Sequence, residues 1–444
     1  MKQKQNLDEN SLRIKENTET ESRILIRGGK PLNGKVKISG AKNSVLKLMA
    51  ACILIPGEVI LKNVAALKDV QQMLEILKFL GGKCKYNIVS ETLKIDFSEI
   101  NSCYAPFELV NKLRASFVIL GPILSRQGSA RVSLPGGCQI GSRRLNLHEI
   151  GLKKLGAELE FSHGYIEASA KEGKLKGAEI HLDIPSNGAT ENLMMAAVLA
   201  KGKTIIENAA KDPEIEDLAN FLNECGAKIT GAGTQHIEIE GVNLEELHGC
   251  EYSCMPDRIE AGTFLIAGFA TKGHVIVDKV NSDHLTPLLS KLKEAGAEID
   301  IKKNKIEIKA STEIKSIEIS TLWHPGFPTD LQPLMMTLLT IAKGNSVIKE
   351  TIYEDRFSQA EDLNRMGANI RVVGNMAIIE GVEELSGSIV RGKDLRATAA
   401  LIIAGLMAKG MTEVYGLSHL DRGYYNLVEK LKILGAEIVR VEEE

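Results

Sequence analysis

The chain has 444 residues, 44% hydrophobic and 25% charged, with a net charge of −3. That is the composition of a globular protein with two or three domains and a large core. The balance excludes a global field drawing the chain to nucleic acid or a membrane surface, so any anion must be met by a local cluster of cations. No apolar run reaches the roughly 20 residues of a membrane span. Residues 1–21, MKQKQNLDENSLRIKENTETE, are polar and mixed in charge and read as a disordered extension. Seven cysteines, an odd number spread along a chain with no secretory signal, point to a reduced, cytoplasmic protein. Cys250 and Cys254 have metal-ligand spacing, but no second such pair follows; free thiols are the plainer reading.

From residue 42 onward one phrase recurs. FLGGKC, KLGAEL, ECGAKI, EAGAEI, RMGANI and ILGAEI carry Gly81, Gly156, Gly226, Gly296, Gly367 and Gly435, at spacings of 75, 70, 70, 71 and 68 residues. Upstream of each lies an apolar helix that ends in glycine and runs into a strand, as in AVLAKGKTIIE and LTIAKGNSVI. Each unit reads strand, buried helix, strand, amphipathic helix and two strands. The first helix type is apolar all round, as a helix enclosed by sheets should be, and the second ends where glycine suits a left-handed C-cap. Six βαβαββ units follow, an α/β architecture; a solenoid is the alternative, but its period is usually shorter, about 20–50 residues. The last unit stops at EIVRVEEE without a final strand, and ILIRGGKPLNG near the N-terminus matches the missing piece. The expectation is that the N-terminal strand completes the sixth unit.

The buried helices begin at Lys42-Asn43-Ser44, Arg114-Ala115-Ser116, Gly188-Ala189-Thr190, Asp257-Arg258, Thr329-Asp330 and Arg396-Ala397-Thr398. Capping accounts for Ser44, Thr190 and Thr398. It does not account for Lys42, Arg114 or Arg396, which oppose the helix dipole unless an anion bridges them. A second tier opens three amphipathic helices with Arg143-Arg144, Asp355-Arg356 and Asp421-Arg422, the arginines lying 11–13 residues before the repeat glycine. Arginine holds phosphate and carboxylate in bidentate fashion, although a solvated surface arginine is the ordinary alternative. A P-loop, a dinucleotide-binding glycine motif and a nucleophile elbow are all absent.

Several longer stretches are specific enough to carry a resemblance: ISGAKNS (38–44), LRAS (113–116), LPGGCQIGSR (134–143), PDRIEAGTF (256–264), HPGFPTD (324–330), DLRA (394–397) and HLDRGY (419–424). In order, and over about 420 residues, they closely resemble the UDP-N-acetylglucosamine 1-carboxyvinyltransferases, enolpyruvyl transferases that open peptidoglycan synthesis. The resemblance implies two inside-out α/β barrels of three units each. One would span 42–254; the other would combine 22–41 with 255–444. It implies transfer of enolpyruvate from phosphoenolpyruvate to the 3'-hydroxyl of UDP-N-acetylglucosamine with release of phosphate. No cofactor or metal is implied, no nucleic-acid or membrane partner, and nothing about oligomeric state.

Residue by residue, Cys138 matches the thiol that protonates C3 of phosphoenolpyruvate and can form a covalent adduct; its Gly-Gly turn would make it a lid. Asp330 matches the carboxylate that takes the 3'-hydroxyl proton, besides any role as an N-cap. Lys42, Arg143 and Arg422 resemble the phosphate-binding set, and Arg356 and Arg396 the carboxylate-binding pair, with Asp394 and Glu354 orienting those arginines. Asn43 and Arg114 would line the sugar side. Arg143, Arg144, Leu145, Asn146 and Leu147, with Ser186, resemble the loops that hold the uridine diphosphate, and Ile352 stands where an apolar residue meets the sugar. His148 is either a ligand contact or a helix residue without a role. Arg144, Ile184, Asn187 and the LQPL after Asp330 depart from the family pattern and bear on nucleotide affinity. Two other readings stand beside this one: a 5-enolpyruvylshikimate-3-phosphate synthase, which shares fold and donor, and a non-catalytic UDP-sugar-binding paralogue. Cations on two facing domains are also expected to repel when the cleft is empty and to draw together around anions.

Overall fold

The computed structural model describes residues 21–111, 113–134, 145–310 and 313–442, with only the backbone of Arg114 and Ala115. Cys138, Arg143, Arg144 and nearly all of the N-terminal extension lie outside the described residues.

The strands form six four-stranded sheets of one design. In the fifth, Glu318–Ser320 runs parallel to Asn345–Lys349, which pairs antiparallel with Met376–Glu380, itself antiparallel to Asn369–Val373. The same order of one parallel and two antiparallel pairings recurs in the other five. Each unit sends one helix inside and one outside. Inside lie Lys42–Ala51, Leu120–Gln127, Asn187–Ala197, Arg258–Ala270, Gln332–Leu339 and Leu395–Met407. Every residue of Arg258–Ala270 is buried, the outcome of an apolar face that runs round the whole helix. The outer helices, such as Lys68–Phe79 and Pro213–Glu224, bury one stripe. All six repeat glycines follow them with φ between +88° and +108°, a region closed to most side chains, which is why glycine marks the period.

The buried residues fall into two cores. One runs from Ala41 to Met255; the other joins Ile24–Ile38 to the stretch from Ile259 to Ile438. We take these as two lobes. The chain exchanges edges where it passes between them: Asn33–Lys37 pairs in parallel with His274–Asp278 of the second lobe, and Glu251–Ser253 with Glu58–Lys62 of the first. The two passages are hydrogen-bonded to each other, Ala41 N–H to Met255 C=O and Asp257 N–H to Ser39 C=O, both at 2.8 Å. In the sixth sheet Arg23–Arg27 lies between Met411–Tyr415 and Glu437–Val441, antiparallel to both. Its Ile24 and Ile26 are fully buried.

A strand that closes a sheet from the opposite end of the chain should bear on the whole second lobe. Ile26 packs against Gly405 of the buried helix Leu395–Met407. Ile26→Ala is expected to lower unfolding free energy by about 2–5 kcal/mol, the cost of a large-to-small change in a closed core. Urea denaturation of the two proteins measures it; a loss below about 1 kcal/mol would mean that the strand is dispensable.

Candidate active site

Four of the buried helices begin at one place, and the 3-10 turns Arg114–Ile119 and Thr329–Leu331 that lead into the other two begin there as well. Lys42 and Asn43, Leu113, Ser186 to Gly188, Arg258 and Ile259, Thr329 and Asp330, and Leu395 and Arg396 line a single cleft of about 500 Å³ between the lobes. Free backbone N–H groups and the positive ends of the helix dipoles therefore share one volume with the cations.

Two carboxylates organise those cations. Asp69, in the first turn of Lys68–Phe79, accepts from Lys42 Nζ at 2.6 Å with one oxygen and from Arg422 Nε at 2.9 Å with the other. Asp330 does the same for Arg356 Nη2 at 2.5 Å and Arg396 Nη2 at 2.8 Å. The arginines are further fixed by rings: Arg356 over Tyr353 at 5.5 Å and Arg396 over Tyr424 at 5.4 Å. Arg356 Nε is buried with no hydrogen-bond partner among the described residues. Burial alone would lower the Arg396 pKa, but Asp330, Tyr424 and Asp257 together raise it. For Lys42 the balance falls the other way. Burial holds its pKa below that of an ordinary lysine, against the pull of Asp69 and with the help of Arg396 and Arg422.

The expectation that Asp394 orients arginine side chains is replaced by something simpler. Asp394 is the N-cap of Leu395–Met407, accepting from the backbone N–H of Arg396 at 2.8 Å and of Ala397 at 3.0 Å. It positions Arg396 through the backbone. Glu354 lines the cleft, but the carboxylate that holds both guanidiniums is Asp330. Facing cations do not stand bare, as the repulsion argument assumed. Arg422 of the second lobe meets Asp69 of the first, Lys68 meets Asp421 at 2.9 Å, and Arg258 meets Asp212 at 2.8 Å and Glu214 at 3.0 Å.

Of the other residues singled out by sequence, Leu145, Leu147, Ser186 and Ile352 line the cleft. Ser186 caps Asn187–Ala197 through the N–H of Ala189. Asn146 is exposed at the start of Asn146–Lys154 and is not part of the described lining. The side chain of Arg114, like Cys138, Arg143 and Arg144, lies outside the described residues. Asp69, Lys47, Glu191 and the chain's one tryptophan, Trp323, join the lining without having been singled out. Asp69 was within reach. It lies 12 residues before Gly81, in the register of the second-tier arginines, but carries an acid where they carry a base.

His148 is buried, packed edge-on against Phe117. Asn192 Oδ1 accepts from the Gly121 N–H at 2.7 Å, so the Asn192 amide presents its NH₂ to His148 Nδ1, 3.0 Å away. Nδ1 is then the acceptor and Nε2 carries the proton, facing Gly188. Burial pushes the ring's pKa from 6.5 down to about 4, which keeps it neutral.

Comparison with known proteins gives a consistent result. The family model described as "EPSP synthase (3-phosphoshikimate 1-carboxyvinyltransferase)" matches residues 26–431. A UDP-N-acetylglucosamine 1-carboxyvinyltransferase 2 of Carboxydothermus hydrogenoformans is 53% identical over 95% of this chain and 100% of its own. A UDP-N-acetylglucosamine 1-carboxyvinyltransferase 1 of Staphylococcus aureus is 49% identical over 95% and 100%. Among solved structures, the enolpyruvyl transferase NikO from Streptomyces tendae superposes with a TM-score of 0.85 at 26% identity, covering 95% of this chain and 99% of that one. EPSP synthase from Acinetobacter baumannii, at 18% identity and a TM-score of 0.75 over 95% and 100%, shares the fold.

The His148 assignment has a consequence for stability. An unfolded histidine takes up a proton near pH 6.5, but the folded one resists until about 4. Its contribution is therefore whole above pH 6.5 and drains away as pH falls towards 4, by about 3 kcal/mol. The difference in unfolding free energy between wild type and His148→Gln should shrink by that amount between pH 7 and 4 in urea titrations. A constant difference would mean that the ring is charged or solvated when folded.

Proposed function

We propose, on the premise that this chain belongs to the family of UDP-N-acetylglucosamine 1-carboxyvinyltransferases, that it transfers the enolpyruvyl group of phosphoenolpyruvate to the 3'-hydroxyl of UDP-N-acetylglucosamine, the committed opening step of peptidoglycan synthesis. The observation that carries the chemistry is the pairing of four cations on two carboxylates in the cleft where the buried helices converge.

Phosphoenolpyruvate presents a phosphate and a carboxylate a few bonds apart. Lys42 and Arg422 take the first, with Arg143 added from the loop; Arg356 and Arg396 take the second. UDP-N-acetylglucosamine lies across Asn43, Arg114 and Ile352 on its sugar side, with its diphosphate and uracil toward Ser186 and residues 143–147. A thiol at Cys138 gives its proton to C3, which makes C2 electrophilic. The 3'-oxygen attacks C2 as its own proton passes to Asp330, forming a tetrahedral ketal. Loss of a C3 proton then expels phosphate and restores the double bond. A covalent pyruvyl adduct at Cys138 and a cytoplasmic location belong to this proposal; the second leans on the six free thiols among the described residues.

Asp330 has two tasks in this scheme, and they are linked. The donor's carboxylate competes for the guanidiniums that Asp330 holds. As it binds, the aspartate loses opposite charge, its basicity rises, and it becomes a better acceptor for the hydroxyl proton.

A phosphate-release assay tests the overall reading: turnover is expected with phosphoenolpyruvate and UDP-N-acetylglucosamine. Turnover with shikimate 3-phosphate as the sole active acceptor would overturn it. For the linkage, Asp330→Asn should lower kcat by about 10²–10⁴-fold, the range of a lost general base. The same variant should bind phosphoenolpyruvate as tightly as wild type or more so, because the competing carboxylate is gone. Fluorescence of Trp323, which sits in the cleft, reports that binding. Clearly weaker donor binding would make Asp330 an architectural residue instead.

A further inference from the structure

The proposed reaction uses none of the described cysteines, yet two of them face each other. Cys225 terminates the outer helix Pro213–Glu224 of the third repeat, and Cys250 leads into Glu251–Ser253, which closes the first sheet. Their Sγ atoms are 3.2 Å apart. The backbone holds both in place. The His248 N–H donates to the Cys225 carbonyl at 2.9 Å, and the Ile60 N–H to the Cys250 carbonyl at 2.8 Å. Cys225 is buried and Cys250 half-buried, and neither lines the cleft. Cys254 has other partners, the carbonyls of Ala41 and Met255, so the Cys-x3-Cys spacing does not bring its two thiols to a shared ligand.

We infer that Cys225 and Cys250 form a dithiol site that closes to a disulfide by exchange with a low-molecular-weight disulfide such as oxidised glutathione. The sulfurs need to approach by about 1 Å to reach bonding distance, a shift within the reach of side-chain rotation. Cys250 is the attacking group. It is the more exposed, and the S–H of Cys225 donates to its sulfur and lowers its pKa, while that hydrogen bond and burial raise the pKa of Cys225. The Cys250 thiolate attacks one sulfur of glutathione disulfide, forms a mixed disulfide and releases one glutathione thiolate. Cys225 then gives its proton to that thiolate and attacks the Cys250 sulfur, displacing the second glutathione. Two protein thiols are oxidised, and one glutathione disulfide is reduced to two thiols. The new bond closes a loop between positions 25 apart and staples the third repeat to the first, where the lobe's ring of repeats meets itself. Because the pair is away from the cleft, the consequence falls on stability and not on catalysis.

The test uses the full chain in glutathione buffers of increasing oxidised fraction, acid-quenched and mapped by peptide mass. The expected products are a Cys225–Cys250 linked peptide pair, with no glutathione adduct persisting on Cys250, and a thermal midpoint raised by roughly 5 °C. Cys225→Ser should instead accumulate a stable glutathione mixed disulfide at Cys250, because the resolving thiol is missing. Cys250→Ser should leave Cys225 unmodified. A persistent adduct on Cys250 in the wild type, a bond from Cys250 to Cys52 or Cys84, or no linked pair at excess oxidant would each overturn the inference.

Discussion

Of the six described cations that line a cleft of about 500 Å³, four stand in two pairs, and each needs an anion within hydrogen-bond reach because a desolvated charge without a partner is far costlier than any single packing contact. The chain meets that need with two carboxylates, each using both oxygens. Within this group alone, counting Lys42, Arg422, Arg356 and Arg396 against Asp69 and Asp330, four positive charges less two negative leaves two positive; the rest of the described lining sets Lys47 and Arg258 against Glu191, Asp212, Glu214 and Glu354. Lys42 and Arg396 of this group stand in the first turns of Lys42–Ala51 and Leu395–Met407, whose dipoles add to their charge. A multiply negative molecule that takes these cations must displace the carboxylates that hold them.

The repeat makes that concentration possible. One sequence position, the start of the buried helix, occurs in six units, and the fold turns those six positions into one surface. Glycine with φ near +100° after every outer helix lets the chain reverse without strain, so that each unit delivers its buried helix in the same orientation to its sheet. The unit itself tolerates wide variation. Among the described residues two of the helix starts, at Lys42 and Arg396, carry a cation for the cleft, whereas Asn187–Ala197 presents a serine cap and Arg258 is spent on a bond between lobes.

Much of this was legible in the sequence. Periodic glycines, helices apolar all round and cations at helix starts are local signals, and each rests on a backbone requirement that one unit states by itself. The partner of each charge was not. Asp69 and Arg422 are 353 residues apart, and Asp330 and Arg396 are separated by 66. Which acid meets which base depends on how the lobes face each other, and no spacing rule carries that. Asp394 is instructive in the other direction. The family resemblance implied that it orients an arginine side chain, but Asp394 turns Oδ1 to two backbone N–H groups as an N-cap and accepts from the Ser358 hydroxyl with Oδ2 at 3.1 Å. His148 was ambiguous for a similar reason: its tautomer is set by Asn192, itself oriented by a backbone N–H on a third helix.

The same ion pairs that settle the cleft also govern how the lobes part. Only two passages of chain connect the lobes, and they are bonded to each other beside Gly40, where a Cβ would fall 1.7 Å from the Asn63 carbonyl oxygen. A pivot there leaves the far rim held by Arg422 to Asp69, Lys68 to Asp421, and Arg258 to Asp212 and Glu214. These are unequal. Lys68 is half exposed, so its pair is worth a fraction of a kcal/mol and fades with salt. Arg258 and Glu214 are both buried with three hydrogen bonds between them, and separating them while they stay dry would cost several kcal/mol. Any separation of the lobes would therefore require water to reach Arg258 and Glu214. The bonds at Arg422 add a second coupling. A phosphate that takes Lys42 and Arg422 displaces Asp69 from both, yet it binds one residue from each lobe in the aspartate's place. In the proposed binding mode the donor would thus substitute one bridge for another and need not overcome the repulsion of two bare positive faces.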